Sequence, residues 1–269
     1  MQMAVPRLQY YPMGDGVTAF SSTRQGGYSE GRFGEFNINH YCGDDEEAIR
    51  KNREALCQLL HISDDRLLMP HQVHLTEVAV VNEELLLLPA EKQHQALEGI
   101  DAIMTDRLGV CIGVSTADCI PVLLYDKRHH AVSAIHAGWR GTVQRIVEKS
   151  IARMTAVYDT QPSELVAQIG PGIHLDSFEV GDEVYDAFTQ AGFDMETISK
   201  KYPHSLNPSK WHIDLPECNR QQLVFSGIPA HSIAVSPVCT YQHHDTFFSA
   251  RRLGIASGRI FTGVIIPNY

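Results

Sequence analysis

The residues in this chain best suited to chemistry are histidines and a cysteine at the ends of apolar runs: His71 and His74 in PHQVHLTEV, Cys119 in STADC and His136 in IHAGWRG. Imidazole and thiolate together suit a borderline-soft ion such as Zn2+, and three protein ligands leave a fourth position for water or substrate, the pattern of a catalytic site. Each residue alone has a plainer reading, since the chain holds 14 histidines and a single Cys is often a small core hydrophobe. It is the company of Cys119 with Asp118, Gly138 and Arg140 at two short junctions that favours chemistry. If HQVHLTEVAVV is one strand, its side chains alternate, so His71 and His74, three apart, face opposite ways. One of the pair then joins the site, and composition does not say which.

The elements that must position these groups follow from the apolar pattern. Residues 109–126 (GVCIGVSTADCIPVLLYD) read as two β-rich runs separated by the polar TAD turn, with Pro121 near a strand edge. AVSAIH (131–136) reads as a short buried strand and AGWRGT as a turn. VQRIVEKSIARMTAVY then reads as a helix, with Val143, Ile146, Val147, Ile151 and Met154 on one face. His136 thus falls where a strand ends and a helix begins, a place where rigid elements hold a loop and free helix N–H groups can meet an anion. A second strand–loop–helix follows around Gly170-Pro171-Gly172, Pro216 marks a helix start, and FTGVII reads as a closing strand. Residues 44–60 form an amphipathic helix behind an acidic cap, with Ile49, Leu56, Leu59 and Leu60 for packing. Strands and helices without strict alternation predict an α+β fold, and no repeat or linker divides residues 1–269, so one domain is expected.

Composition narrows the function further. With 22 Lys and Arg against 32 Asp and Glu, the formal charge is −10, the wrong sign for drawing the chain to nucleic acid or an anionic membrane. The N-terminus has no basic start followed by an apolar run, and no apolar segment is long enough to span a bilayer, so a cytoplasmic protein is expected. Six cysteines (42, 57, 111, 119, 218 and 239) spread over 269 residues read as reduced thiols. The P-loop, dinucleotide-binding, HExxH, GxSxG and zinc-deaminase signatures are all absent.

A series of motifs carries a resemblance across nearly the whole chain from about residue 18: STRQGGYSEGRF, FNINHYCGDD, HQVH, DAIMTD, STADCIPVLLYD, HAGWRGT, IGPGI with FEVG, WHIDLP, and CT followed by FFSARR. Together they resemble the YfiH-type laccase-domain family, also called the multicopper polyphenol oxidoreductase family. The resemblance implies an αββα sandwich of four layers with mixed sheets, distantly like the catalytic domain of cytotoxic necrotizing factors. It implies metal ligation by the His of QVH, the Cys of TADC and the His of HAGWRG, which here are His74, Cys119 and His136. One departure is Leu75, where the family commonly has Gly, which is expected to set a larger side chain beside the site.

The activity implied is that of a purine nucleoside enzyme: phosphorolysis of adenosine, inosine, guanosine and methylthioadenosine, and deamination of adenosine, with purine nucleosides and phosphate as partners. Zn2+ is the expected ion, with Cu2+ as the alternative. Cys119, Asp118 and Arg140 are expected to be catalytic, Asp118 as acid, base or histidine orienter. Arg24, Arg140 and the N–H groups that begin the helix after Gly141 are candidates for anion contacts, and Asn37 and Glu179 for a purine edge or ribose hydroxyls. His243, His244 and Asp245 read as a polar loop, and Phe247 and Phe248 as stacking or core residues. Three other readings compete. Copper-dependent phenol oxidation follows the family name, although the chain has no His-x-His pair. A thiol hydrolase acting on cell-wall precursors would use Cys119 with His136 as its base. A metal-stabilised interaction module would lose stability but no turnover on losing its ion.

Overall fold

The computed structural model describes residues 5–202 and 209–268; residues 1–4, 203–208 and 269, which the one-domain expectation included, lie outside it. Two large sheets form the centre. One has the order β1 (Leu8–Tyr11), β2 (Thr18–Ser22), β14 (Ile260–Ile265), β6 (Cys111–Thr116) and β3 (Leu67–Leu68). The other runs β13 (Ile233–Val235), β9 (Leu165–Ile169), β7 (Ile120–Asp126), β8 (Ala131–Ala137), β5 (Ala102–Thr105) and β4 (Val78–Val81), and a small third sheet joins β10 (Glu179–Val180), β12 (Lys210–Ile213) and β11 (Ser199–Tyr202). Both large sheets mix parallel and antiparallel pairs.

Between the sheets lies an apolar layer that includes Ile112 and Val114 from β6 and Leu123, Tyr125, Val132 and Ala134 from β7 and β8. The opposite face of β7 and β8 packs on helix Ile146–Tyr158 through Ile146, Val147, Ile151 and Met154. Outside the first sheet, Leu56 and Cys57 of helix Glu46–Leu60 meet Phe20 and Phe261. This gives the expected α+β sandwich with the layer order helix, sheet, sheet, helix. Because β7 and β8 are covered on both faces, IPVLLYD and AVSAIHA are buried at every position and show no polar alternation. Among the described residues no helix is long and apolar enough to cross a membrane.

The local expectations hold with informative exceptions. Asp45 caps helix Glu46–Leu60 by accepting from the Ala48 N–H at 2.8 Å, though Leu59 stays on its exposed side. Asp214 caps Leu215–Phe225, with Pro216 in the first turn. The expected helix from 143 to 158 is two helices, Trp139–Val143 and Ile146–Tyr158, broken where Arg145 adopts φ 65°. Pro121 lies in an interior strand, but pairing with β9 begins only at Val122, so the missing N–H costs that ladder nothing. The two β-rich runs around TAD belong to different sheets, so residues 117–119 carry the chain from one layer to the other at the sheet ends.

Candidate metal centre

Cys119 immediately precedes β7, and His136 is the last residue but one of the adjacent β8, where it pairs across from Pro121. Antiparallel register therefore brings residues 17 apart in sequence to one sheet end. His74 arrives from a separate loop. One ligating atom from each of His74, Cys119 and His136 lies within 4.8 Å of the others, and Cys119 Sγ is 3.8 Å from His74 Nε2. Bonds of about 2.0–2.3 Å let one ion join this set after a modest contraction. The imidazoles of His74 and His136 meet edge to face, with centroids 4.8 Å apart.

The loop that delivers His74 is not a strand: extended pairing begins at Val78, and His74 itself adopts φ 63°. His71 and His74 therefore do not alternate as neighbours along one strand. Asp101, fully buried at the start of β5, shapes this loop by accepting N–H bonds from Val73 (3.3 Å), His74 (2.9 Å) and Leu75 (2.8 Å). The same carboxylate meets His136 Nδ1 at 2.7 Å, while the His136 backbone N–H donates to the Asp101 carbonyl at 2.8 Å. Nδ1 is thus engaged and Nε2 is left for the cluster, the arrangement that orients a metal-binding histidine. Gln72 braces the loop from its other side, donating to the Ser115 carbonyl and accepting the Ser115 N–H, both at 2.8 Å.

Burial pushes the Cys119 thiol up, but the His136 and His74 imidazoles outweigh it and bring the thiol down to about 6. For His136, burial works against the charged form, and the Cys119 thiolate and Asp101 carboxylate raise it to about 9. Burial likewise pushes the Asp101 carboxyl up, while its bond and charge interaction with His136 hold it below the ordinary carboxylate value. Without an ion the pair therefore rests as thiolate beside imidazolium, and an ion binding there would displace the His136 proton to gain thiolate and imidazole donors, the chemistry that zinc or copper takes. Gly138 leaves room for this approach. A Cβ there would sit 2.9 Å from His74 Cδ2, 3.2 Å from Cys119 Sγ and 3.6 Å from His136 Cε1.

The trio lines a cleft of about 630 Å³ whose walls include Asn39, Tyr41, Trp139, Phe178, Arg251 and Arg259. Asp118 also lines it, but its carboxylate accepts from the Thr240 hydroxyl (2.7 Å) and the Arg251 backbone N–H (2.6 Å). Other expected contacts lie elsewhere. Arg140 is exposed, its guanidinium lies over the Trp139 ring, 4.2 Å from the centroid, and it does not line the cleft. Arg24 is spent on the carbonyls of Gly34 (3.0 Å) and His244 (2.7 Å) and on the Phe248 ring.

Asn37 is fully buried, bonding Asp44 and the N–H groups of Asn39 and Arg259, so it braces two segments behind the cleft wall. Glu179 gives its carbonyl to Arg251 and its side chain is not among the cleft walls. No helix starts after Gly141: that residue lies inside helix Trp139–Val143, and the next helix starts at Ile146, which is not among those walls. Phe247 and Phe248 are core residues, His243, His244 and Asp245 stay outside the cleft, and Leu75 is an exposed residue that does not line it. What sequence reading missed is Asp101, present in the DAIMTD motif, and the cleft arginines Arg251, in helix Ala250–Leu253, and Arg259, just before the last strand.

Residues 18–267 match the family described as multi-copper polyphenol oxidoreductase laccase. A purine nucleoside phosphorylase of Bacteroides thetaiotaomicron is 46% identical over 250 residues, covering 93% of this chain and 92% of that protein. The adenosine deaminase RL5, from an unknown prokaryotic organism, is 43% identical over 263 residues, covering 96% and 97%. Among solved structures, the hypothetical protein YfiH of Bacillus licheniformis is similar with a TM-score of 0.88 at 28% identity over 98% of both chains.

Proposed function

Since the chain belongs to the multi-copper polyphenol oxidoreductase laccase family, whose relatives here are a purine nucleoside phosphorylase and an adenosine deaminase, we propose that it is a metal-dependent purine nucleoside enzyme. Its substrates are adenosine, inosine, guanosine and methylthioadenosine, and its ion is Zn2+. The observation that carries this reading is the His74, Cys119 and His136 cluster opening into a cleft of about 630 Å³ that also holds two arginines and the rings of Trp139, Phe178 and Tyr41. In phosphorolysis a phosphate oxygen bonds to C1′ of the ribose while the C1′–N9 bond breaks. The electron pair leaves with the base, which takes up one proton. In deamination water adds at C6 of adenine, the amino group leaves as ammonia, and inosine results.

His74, Cys119 and His136 would hold the ion. When bound, an ion of this kind supplies Lewis acidity, polarising a substrate oxygen or making water acidic enough to attack at neutral pH. The remaining work falls to the chain itself. Asp101 holds the Nδ1 proton of His136 and fixes the ring, and Gln72 fixes the His74 loop against β6. Of the rings lining the cleft, half-buried Trp139 could stack on a purine, whereas Phe178 is buried in the core. A multi-copper oxidation needs several ion sites in reach of one another, and among the described residues there is one His/Cys/Asp/Glu group arranged to ligate, which favours the nucleoside reading over phenol oxidation.

The test is chromatography of adenosine incubated with the metal-replete protein, with and without phosphate. Free adenine that requires phosphate, and inosine that does not, are the expected products. Unchanged adenosine under both conditions would overturn the reading and turn attention to phenols as substrates and to Cys119 as a thiol nucleophile.

A further inference from the structure

Two arginines enter the cleft from the C-terminal segment, and neither forms an ion pair with a carboxylate among the described residues. Arg251 is exposed; its Nη1 donates to the Glu179 carbonyl at 3.0 Å, and its guanidinium lies 5.5 Å from the centroid of the Phe178 ring. Arg259, half-buried, donates to the carbonyls of Gly258 (3.1 Å) and Ile255 (2.8 Å). Bonds to neutral carbonyls leave the guanidinium charge uncancelled, and each group has five N–H donors to share. Among the described residues Asp118 is the one acidic side chain in the cleft walls. In a chain of net charge −10, this surface is therefore locally cationic, and forked guanidinium donors match the oxygens of a phosphate.

Asp118 is 9% exposed, and both its oxygens are engaged. A backbone N–H can only donate, so the oxygen that receives the Arg251 N–H must act as an acceptor. The left-handed backbone of Asp118, φ 86°, also directs its carbonyl to the Ile173 N–H at 2.8 Å. One residue thereby joins the turn carrying Cys119 to the loop after β9 and to a segment 133 positions further along the chain.

We propose that Arg251 and Arg259 form the seat of the phosphate co-substrate in this cleft, and that Asp118 is a positioning residue that fixes Arg251 beside the Cys119 turn. The inference rests on the nucleoside reading for its co-substrate. Its chemistry is that of a phosphate dianion, which inorganic phosphate or the 5′-phosphate of a nucleotide would supply; the proposal commits to inorganic phosphate.

The test is isothermal titration of inorganic phosphate, and separately of adenosine 5′-monophosphate, into the zinc-loaded protein with no nucleoside present. Arg251→Met is expected to weaken inorganic phosphate by about ten- to a hundredfold, the loss of charge-assisted bonds, with one zinc per chain retained. Arg251→Lys recovers part of that affinity, and Arg259→Met also weakens it. Asp118→Ala weakens phosphate, whereas Asp118→Asn restores it, because the amide oxygen still accepts the Arg251 N–H and the Thr240 hydroxyl can accept from the amide. Phosphate affinity unchanged in both arginine variants would overturn the proposal and leave phosphate to the ion alone. Loss of the nucleotide's affinity with inorganic phosphate unaffected would overturn it in favour of an ester. If Asp118→Asn stops phosphate-independent inosine formation as fully as Asp118→Ala, Asp118 is a base and its positioning role fails. Arginine-dependent phosphate binding in a protein that leaves adenosine intact would uphold the seat while overturning the nucleoside reading, so the two fail separately.

Discussion

Asp101 meets Nδ1 of His136 at 2.7 Å, and Asp126 meets Nδ1 of His129 at 2.8 Å, both carboxylates being fully buried. The two pairs lie toward opposite ends of the β7–β8 ladder, His136 beside the Cys119 end and Asp126 at the hairpin. Each carboxylate also organises backbone: Asp101 gathers three N–H groups of the His74 loop, and Asp126 accepts from Arg128 and His129 at 3.0 and 3.1 Å. The difference is what meets the far side of the imidazole. His136 meets a thiol and a second imidazole at a cleft wall, whereas among the described residues His129 belongs to no ligating group. An Asp–His pair is thus a device for holding a ring and a turn. It becomes part of chemistry only where a donor set and open space adjoin it.

The largest effect belongs to the ligands: Cys119→Ala is expected to abolish metal binding and nucleoside turnover together while circular dichroism stays unchanged. Next come the two carboxylates. Asp101→Asn should lower metal affinity or activity by about 10- to 100-fold, as loss of a ligand-orienting partner does, while Asp126→Asn leaves both as in the wild type; paired metal titrations and rate assays read this directly. Gly138→Ala forces a methyl against His74 and Cys119 and should weaken metal affinity by a smaller factor, measured by competition with a chelator.

The smallest effect is on stability at the structural pair. Burial pushes the Asp126 carboxyl up, but the neighbouring Thr160 side chain, and after it the His129 ring and backbone N–H, outweigh it and hold it below its ordinary value. A depressed carboxyl contributes stability that is present above the unfolded-state value, about 3.9, and lost as pH falls through the lower folded-state value. Melting temperatures between about pH 5 and pH 3 should therefore fall less steeply in Asp126→Asn than in the wild type. Parallel slopes would show that this pair adds nothing to acid stability.

The sequence carried the site unevenly. Cys119 and His136 could be placed at strand ends because β7 and β8 are unbroken apolar runs closed by polar turns. His74 could not be chosen over His71 from the residues, because the loop's shape comes from Asp101, a tertiary partner 27 positions away. Only the family resemblance made that choice. Arg24, Asn37, Glu179 and Arg140 have side chains suited to substrate contact, but whether such groups face a cleft or brace a fold depends on long-range packing. Arg251 shows the same limit from the other side. It stands in the SARR motif beside Arg252, which instead bonds Tyr241, and only the return of the C-terminal segment onto the Cys119 turn separates their roles. The break at Arg145, by contrast, is a local left-handed residue hidden inside an uninterrupted helical pattern.

The most direct test of the account is a single preparation followed through metal content and adenosine turnover together, by elemental analysis and chromatography, before chelation, after it, and after zinc is returned. One ion per chain is expected, with loss of adenine and inosine formation on chelation, recovery with zinc, and no recovery in Cys119→Ala. Full conversion of adenosine by the metal-free wild type, or by Cys119→Ala, would contradict it.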